Sequence, residues 1–144
     1  MSTVPEDTVV KPAVLFVCTY NSVRSQMGEG LLRHYYGDRY SVFSAGTMPA
    51  GVSRYAVRVM EESGIDISGQ RSKSIQEFMG KDFYAVVTLC ACADQGCHLL
   101  PRADRTIHHP FPGPSEAGDD EEILEGFRRI RDQIRDWIEA EFSG

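Results

Sequence analysis

Short apolar runs, each long enough for one buried strand, alternate along the chain with segments in which apolar residues recur at helical spacing. The runs lie at residues 13–17, 40–44, 85–89 and 106–108. The first two helical segments end near Gly37 and Gly64, and a third, long one begins at Glu121. Continuous apolar strands that alternate with helices are typical of a parallel sheet covered on both sides. We therefore predict an α/β fold, with a single-domain parallel four-stranded sheet and helices on both faces.

The domain organisation and the partners follow from length and charge. We predict a flexible N-terminal tail over residues 1–11 and one folded domain over residues 12–144. The 15 basic and 21 acidic residues give a net charge of −6, which argues against nucleic acid or an anionic membrane surface as a partner. No apolar run is long enough to span a membrane, and the N-terminus does not resemble a signal peptide, so we expect a cytoplasmic protein.

Two of the four cysteines follow predicted strands directly. Cys18 comes after the first apolar run, and Cys90 comes after the third. The carboxyl ends of parallel strands meet at one edge of a sheet, where ligands usually bind. Both thiols are therefore expected at the same edge.

The loop after the first strand reads Cys18-Thr-Tyr-Asn-Ser-Val-Arg-Ser25 and leads into a helix. Free backbone N–H groups and the helix dipole at such a position favour an anion. The residues predicted to hold an oxyanion are Thr19, Tyr20, Asn21, Ser22, Val23 and Arg24. The Arg24 guanidinium can grip two oxygens, and the same positive field favours a nucleophilic Cys18 thiolate, to which Ser25 could donate a hydrogen bond. In the competing interpretation Cys18 is an inert buried thiol and Arg24 a surface charge.

Three segments carry a resemblance to a known family. They are Val14-Leu-Phe-Val-Cys-Thr-Tyr-Asn-Ser-Val-Arg-Ser-Gln-Met-Gly-Glu-Gly30, Ser44-Ala-Gly-Thr47 and Gly64-Ile-Asp-Ile-Ser68. The chain resembles the low-molecular-weight tyrosine phosphatases, which have a flavodoxin-like fold, and the arsenate reductases that share it. Gln26, where the phosphatases usually carry proline, is similar to the reductase branch. The resemblance implies that Asn21, Glu29, Ser44 and Asp66 support the loop and form a potassium site in some reductases. Glu29 and Asp66 could instead be ordinary solvated charges.

A second cysteine cluster, Cys90-Ala-Cys92-Ala-Asp-Gln-Gly-Cys97, follows the third strand. Resemblance to thioredoxin-coupled arsenate reductases implies a relay in which arsenate forms an adduct on Cys18. Cys90 would then attack Cys18 and release arsenite, and a third thiol would resolve the disulfide. The interval to Cys97 matches the thioredoxin-coupled pattern, whereas the close pair with Cys92 resembles a glutaredoxin-linked variant.

Other interpretations of this cluster stay open. The three thiols with His98, or with His108 and His109, could bind zinc, although one residue between two cysteines is tighter than usual. Cys92 and Cys97, and Cys92 above all, could also be incidental small apolar residues. Apart from the potassium site that the resemblance implies, we predict no tightly bound cofactor.

The chain departs from the family pattern before the last helix. Both branches usually carry an Asp-Pro pair there, whose Asp protonates the leaving group, but this chain has Gly113 before Pro114. Glycine cannot act as a general acid, so Glu116, Asp119 or water would have to serve. The residues Asp119 to Glu122 also suit the N-terminus of a helix.

The sequence and the resemblance leave three candidate functions. The first is arsenate reduction in arsenic detoxification, with electrons from a thioredoxin-like or glutaredoxin-like protein. The second is a tyrosine phosphatase that forms a phosphocysteine on Cys18, and the third is a weakly active oxyanion-binding module.

Overall fold

The computed structural model describes residues 11–90 and 100–144. Along the chain lie β1 (Ala13–Cys18), α1 (Arg24–Tyr36), β2 (Ser41–Gly46), α2 (Arg54–Glu62), a 3₁₀ helix (Ile75–Phe78), β3 (Asp82–Thr88), β4 (Arg102–His108) and α3 (Asp120–Phe142). The four strands form one parallel sheet in the order β2-β1-β3-β4. The predicted α/β fold with a parallel four-stranded sheet is therefore confirmed.

The first apolar run of the sequence forms β1, the strand at the centre of the sheet. It has a hydrogen-bonded neighbour on each side, and its residues 14–17 are fully buried. Val14 and Phe16 point into the core that the three α-helices share, while Leu15 and Val17 belong to a second core. The 3₁₀ helix closes that second core on the opposite face with its residues Ile75 and Phe78. Both faces are thus covered, one by α-helices and the other by the 3₁₀ helix, within the described residues.

Local sequence signals set the helix starts. Ser53 caps α2, with its hydroxyl accepting from the backbone N–H groups of Tyr55 and Ala56. Asp119 caps α3 in a capping box with Glu122, so this acidic cluster stabilises a helix N-terminus. No helix in the described ranges is both long and apolar enough to cross a membrane.

The edge strand β4 is longer than expected. The sequence predicts only residues 106–108, whereas the strand covers Arg102–His108. Most of its side chains are exposed, and three are charged, so it lacks the apolar run that marks an inner strand.

The strands β1 and β3 end side by side at the carboxyl edge of the sheet, with Val17 opposite Thr88. This register brings the loops after both strands to one edge of the sheet.

Candidate active site

The loop at residues 18–23 connects β1 to α1 and ends in an uncapped helix N-terminus. Val23 occupies the N-cap position and makes no side-chain cap, so the first N–H groups of α1 are left for another acceptor. Cys18 is only 3% exposed, and its Sγ lies 2.8 Å from the Ser25 Oγ. An anion above the sulfur would meet the positive end of the α1 dipole.

Asn21 holds the loop in shape from the inside. It adopts a left-handed backbone conformation, with φ at 48°, which asparagine tolerates better than most residues. Its Nδ2 donates to Ser25 Oγ at 2.7 Å and to Ser44 Oγ at 3.0 Å. Because Ser25 Oγ accepts this bond, its own proton can be donated to Cys18 Sγ. The side chain of Asn21 therefore orients the hydroxyl that lies beside the Cys18 sulfur.

Gln26 has a structural role that the sequence did not reveal. Its Nε2 lies 2.8 Å from Asn21 Oδ1 and 3.0 Å from the carbonyl oxygen of Arg71. Gln70 in turn donates from Nε2 to Gln26 Oε1 at 2.7 Å. The amide of Gln26 thus joins the loop to the segment that follows residue 70, and proline at this position could not.

Glu29 lies behind the loop as a buried carboxylate. It is 5% exposed and accepts from Ser44 Oγ at 2.5 Å. Two cations also contact it, Arg33 Nη2 at 2.6 Å and Lys73 Nζ at 3.3 Å. Glu29 is therefore not a solvated charge, which was the alternative interpretation from the sequence. A chain of hydrogen bonds through Ser44, Asn21 and Ser25 links it to Cys18.

Asp66 does not contact Asn21, Glu29 or Ser44. The four residues predicted to support the loop are therefore corrected to these three. The Asp66 side chain is exposed and accepts two hydrogen bonds from Ser68, one from the backbone N–H and one from the hydroxyl. These bonds lower the pKa of Asp66. Lys73 was not predicted, and it is the residue that approaches Glu29 from this part of the chain. Its contact spans 44 positions, and no local pattern marks it.

The cavity above Cys18 has a volume of about 440 Å³. Its lining residues are Cys18, Tyr20, Ser22, Val23, Arg24, Ala50, Gly113, Pro114 and Glu116. Arg24 Nη1 donates to the carbonyl oxygen of Phe111 at 2.9 Å, which holds the guanidinium beside the loop that carries Gly113. A Cβ at Gly113 would lie 3.6 Å from Arg24 Nη2. The position of the missing acid therefore faces the predicted oxyanion site.

The two proposed substitutes for that acid differ in placement. Glu116 lines the cavity, whereas the carboxylate of Asp119 accepts from the Glu122 backbone N–H at 2.9 Å as the cap of α3. Glu116 is therefore the carboxyl group that the structure places at the site.

Cys90 lies beside Cys18 at the edge of the sheet. The two side chains pack against each other, and Cys90 is 4% exposed. Thr19 Oγ1 lies 3.5 Å from Cys90 Sγ, and Leu89 N donates to the Val17 carbonyl oxygen at 2.9 Å. The two thiols therefore lie close together at the same edge of the sheet, as expected. Cys92, Cys97 and His98 lie outside the described residues.

The other two histidines of the zinc alternative have structural contacts. His108 Nδ1 hydrogen-bonds Thr88 Oγ1, and the ring of His109 lies 4.8 Å from Phe111 and 5.0 Å from Trp137 between centroids. Among the described residues, no group of three or more His, Cys, Asp or Glu side chains could hold a metal ion.

Comparisons with known proteins show the family to which the chain belongs. The family described as low molecular weight phosphotyrosine protein phosphatase matches residues 13–141. An arsenate reductase of Halalkalibacterium halodurans is 44% identical over 125 residues, which make up 86% of this chain and 90% of that protein. A solved structure of an arsenate reductase in the phosphate binding state has 35% identity and a TM-score of 0.71, with 90% of this chain and 95% of that chain covered.

A thioredoxin-dependent arsenate reductase of Corynebacterium glutamicum is similar at 28% identity and a TM-score of 0.63. That match covers 95% of this chain and 65% of the other. The residues that build the described site, from Cys18 to Glu116, all lie inside the region that the family matches. The chain belongs to the low molecular weight phosphotyrosine protein phosphatase family, in the branch that includes these arsenate reductases.

Proposed function

We propose that this protein reduces arsenate to arsenite through a cysteine relay that begins on Cys18. The observation that carries the proposal is the buried contact between Cys18 and Cys90 at the mouth of an oxyanion loop. Ester hydrolysis needs one thiol, whereas a two-electron reduction needs a second thiol that can reach the first. The arsenate reductases among the relatives support the same choice of reaction.

The first step forms a bond between Cys18 Sγ and arsenic. Arsenate binds with its oxygens on the loop N–H groups and on the Arg24 guanidinium, which must turn from the Phe111 carbonyl to meet it. The Ser25 hydroxyl, 2.8 Å from the sulfur, stabilises the attacking thiolate. One arsenate oxygen leaves as water after taking up protons, and we assign the proton donor to Glu116 because it lines the cavity.

The second step transfers the electrons. The Cys90 thiolate attacks Cys18 Sγ, the sulfur–arsenic bond breaks, and its electron pair stays on arsenic. Arsenic is reduced from As(V) to As(III) and leaves as arsenite, while the two sulfurs are oxidised to a disulfide. Thr19 Oγ1, 3.5 Å from Cys90 Sγ, is placed to hold the attacking thiol.

A third thiol then attacks Cys90 and frees Cys18, and an external dithiol reduces the new disulfide. We propose Cys97 for this step because the longer interval to Cys90 closes a disulfide with less strain than the Cys90–Cys92 pair. We also propose a thioredoxin as the electron donor, as in the thioredoxin-dependent relative, with glutaredoxin as the alternative. Such a relay requires a reducing compartment, for which we propose the cytoplasm.

The test is arsenate-dependent NADPH oxidation by the full chain, once with a thioredoxin system and once with a glutaredoxin system. Cys90→Ser should abolish arsenate turnover, while its hydrolysis of p-nitrophenyl phosphate should persist because that reaction needs no electrons. The same variant thus supplies its own control for an intact loop. Arsenate turnover that survives in Cys90→Ser would disprove the relay.

The third thiol is decided by Cys97→Ser and Cys92→Ser, a matched pair of substitutions. We expect one arsenite per enzyme from Cys97→Ser and then no further turnover, with a Cys18–Cys90 disulfide found by peptide mapping. Cys92→Ser should turn over normally, and the reverse pattern would assign the step to Cys92.

A tyrosine phosphatase activity is the second candidate. It is favoured by a nucleophile and an oxyanion loop that do not need Cys90, and by the exposed ring of Tyr20 on the cavity, which could contact an aromatic substrate. Efficient phosphotyrosine hydrolysis with no arsenate turnover would make it the main function.

A further inference from the structure

Lys73 places a buried ammonium group in the cluster that supports the nucleophile loop. The residue is only 8% exposed. Its Nζ donates to the carbonyl oxygen of Arg71 at 2.7 Å and to Glu29 Oε1 at 3.3 Å. A buried lysine needs partners that compensate its charge, and here a carboxylate and a carbonyl oxygen supply them.

These are the kinds of oxygen that would bind a potassium ion, but the residues present do not fit one. Asn21 Oδ1 already accepts from the backbone N–H of Lys73 at 2.7 Å and from Gln26 Nε2 at 2.8 Å, so both of its lone pairs are used. Asp66 lies elsewhere, bound to Ser68. The remaining carboxylate, Glu29, has two cationic neighbours, and a third cation beside them would be repelled.

We infer that the Lys73 ammonium is a built-in replacement for potassium, and that this protein needs no monovalent cation. The ammonium attracts Glu29 Oε1, the oxygen that also accepts the hydrogen bond from Ser44. Ser44 in turn accepts from Asn21, which orients Ser25 beside the nucleophile. Lys73 is therefore a positioning residue, which acts on Cys18 through four intervening side chains.

The test uses two substitutions that differ in the space they leave. Lys73→Ala removes the charge and leaves room for an ion on the two oxygens that the ammonium contacts, Glu29 Oε1 and the Arg71 carbonyl oxygen. Lys73→Met removes the charge but fills the space. Lys81→Ala is the matched control, since Lys81 is exposed and its ammonium lies over the ring of Phe78, away from the loop cluster. The readout is Tm in potassium chloride and in choline chloride at equal ionic strength, which does not depend on the substrate of the enzyme.

The wild type and Lys81→Ala should have the same Tm in both salts. Both Lys73 variants should lose roughly 10 °C in choline chloride, as expected when one partner of a buried ion pair is removed. Potassium should restore about half or more of the loss in Lys73→Ala, and little in Lys73→Met. A wild type that potassium stabilises, or a Lys73→Ala that potassium does not, would overturn the inference.

A second readout separates positioning from general stability. The readout is the rate at which iodoacetamide alkylates Cys18 at neutral pH, measured by peptide mapping. Alkylation should be slower in Lys73→Ala than in the wild type, because Ser25 is less well held. Potassium should restore the wild-type rate in Lys73→Ala alone. Equal alkylation of Cys18 in all four proteins would mean that Lys73 does not act on the nucleophile, even if arsenate reduction itself is confirmed.

Discussion

Gly113→Asp restores the acid that this chain lacks, and the structure permits the change. A Cβ at this position would lie 3.6–3.7 Å from the guanidinium atoms of Arg24, which is ordinary contact distance. Gly113 is not among the glycines with positive φ, so aspartate can adopt its backbone conformation without strain. The new carboxyl group would enter the cavity above Cys18.

Two opposing effects set the size of the gain. A well-placed general acid is worth about 10²–10⁴-fold in rate. The Arg24 guanidinium opposes it by favouring the ionised carboxylate, because opposite charges about 4 Å apart attract by roughly 4 kcal/mol at an effective dielectric constant near 20. A bound phosphate dianion offsets much of that attraction. We therefore expect the low end of the range, about 10²-fold in kcat/KM or about 2.7 kcal/mol of transition-state stabilisation.

The assay compares phenyl phosphate with p-nitrophenyl phosphate across pH. The gain should appear with phenyl phosphate, whose leaving group needs a proton, and be small with p-nitrophenyl phosphate. The pH profile of the wild type should lack the descending limb of a carboxylic acid, and Gly113→Asp should acquire it. Gly113→Ala and Gly113→Asn are the controls for filled space and for shape.

Two results would refute this reasoning. If Gly113→Asn accelerates phenyl phosphate hydrolysis as much as Gly113→Asp does, the effect is not proton transfer. If the wild type already hydrolyses phosphotyrosine efficiently with an acid limb that Glu116→Gln removes, Glu116 serves as a full phosphatase acid. The phosphatase function would then take precedence over arsenate reduction.

Two further predictions concern the oxyanion grip and the packing of α2 against α3. Arg24→Lys should lower kcat/KM for arsenate by about 10²-fold or more in the coupled NADPH assay, because an ammonium cannot make the bidentate contact, and near-normal kinetics would mean that Arg24 does not bind the oxyanion. The hydrogen bond from Arg128 lowers the pKa of Glu62, so this pair stabilises the fold above the unfolded-state carboxyl pKa and is lost as pH falls through the folded one. Glu62→Gln should therefore lower Tm by about 2–4 °C at pH 7. The difference should vanish in acid, and a constant difference down to about pH 3 would contradict the pairing.

The nucleophile loop can be predicted from the sequence because the residues that form it are contiguous. An apolar strand, a cysteine, a polar loop and a helix follow one another within 24 residues, and each signal is local. The proximity of Cys90 required one more assumption, that the strands are parallel, and the alternation of strands and helices supported it. Neither feature depends on a specific contact between side chains that are distant in the sequence.

The support of the loop could not be predicted in the same way. Asp66 lies in a segment that resembles the family, but its side chain turns outward to Ser68 because the backbone there forms a local turn. Lys73 reaches Glu29 only because the segment after residue 70 is joined to the loop and to β2. The backbone N–H of Lys73 donates to Asn21 Oδ1 at 2.7 Å, and its carbonyl oxygen accepts from the Gly46 backbone N–H at 2.8 Å. Gly46 also lets the loop pack closely on the end of β2, since a Cβ there would lie 2.7 Å from the Thr19 carbonyl oxygen. Contacts of this kind depend on packing between distant segments, which no residue spacing encodes.

The glycine at 113 and the thiol at 90 favour the same reaction for different physical reasons. A phosphatase of this family must protonate an alkoxide or phenoxide as it leaves, and a carboxyl group held over the loop supplies that proton. The group that leaves arsenate is an oxygen that becomes water, and it can take its protons from solvent in an open cavity or from Glu116 at its rim. Electrons, by contrast, cannot be drawn from solvent, so the reduction depends on a thiol in contact with Cys18, and Cys90 occupies that position. The site therefore lacks an acid on which ester hydrolysis depends more strongly than arsenate reduction does, and it carries the second thiol that the reduction requires.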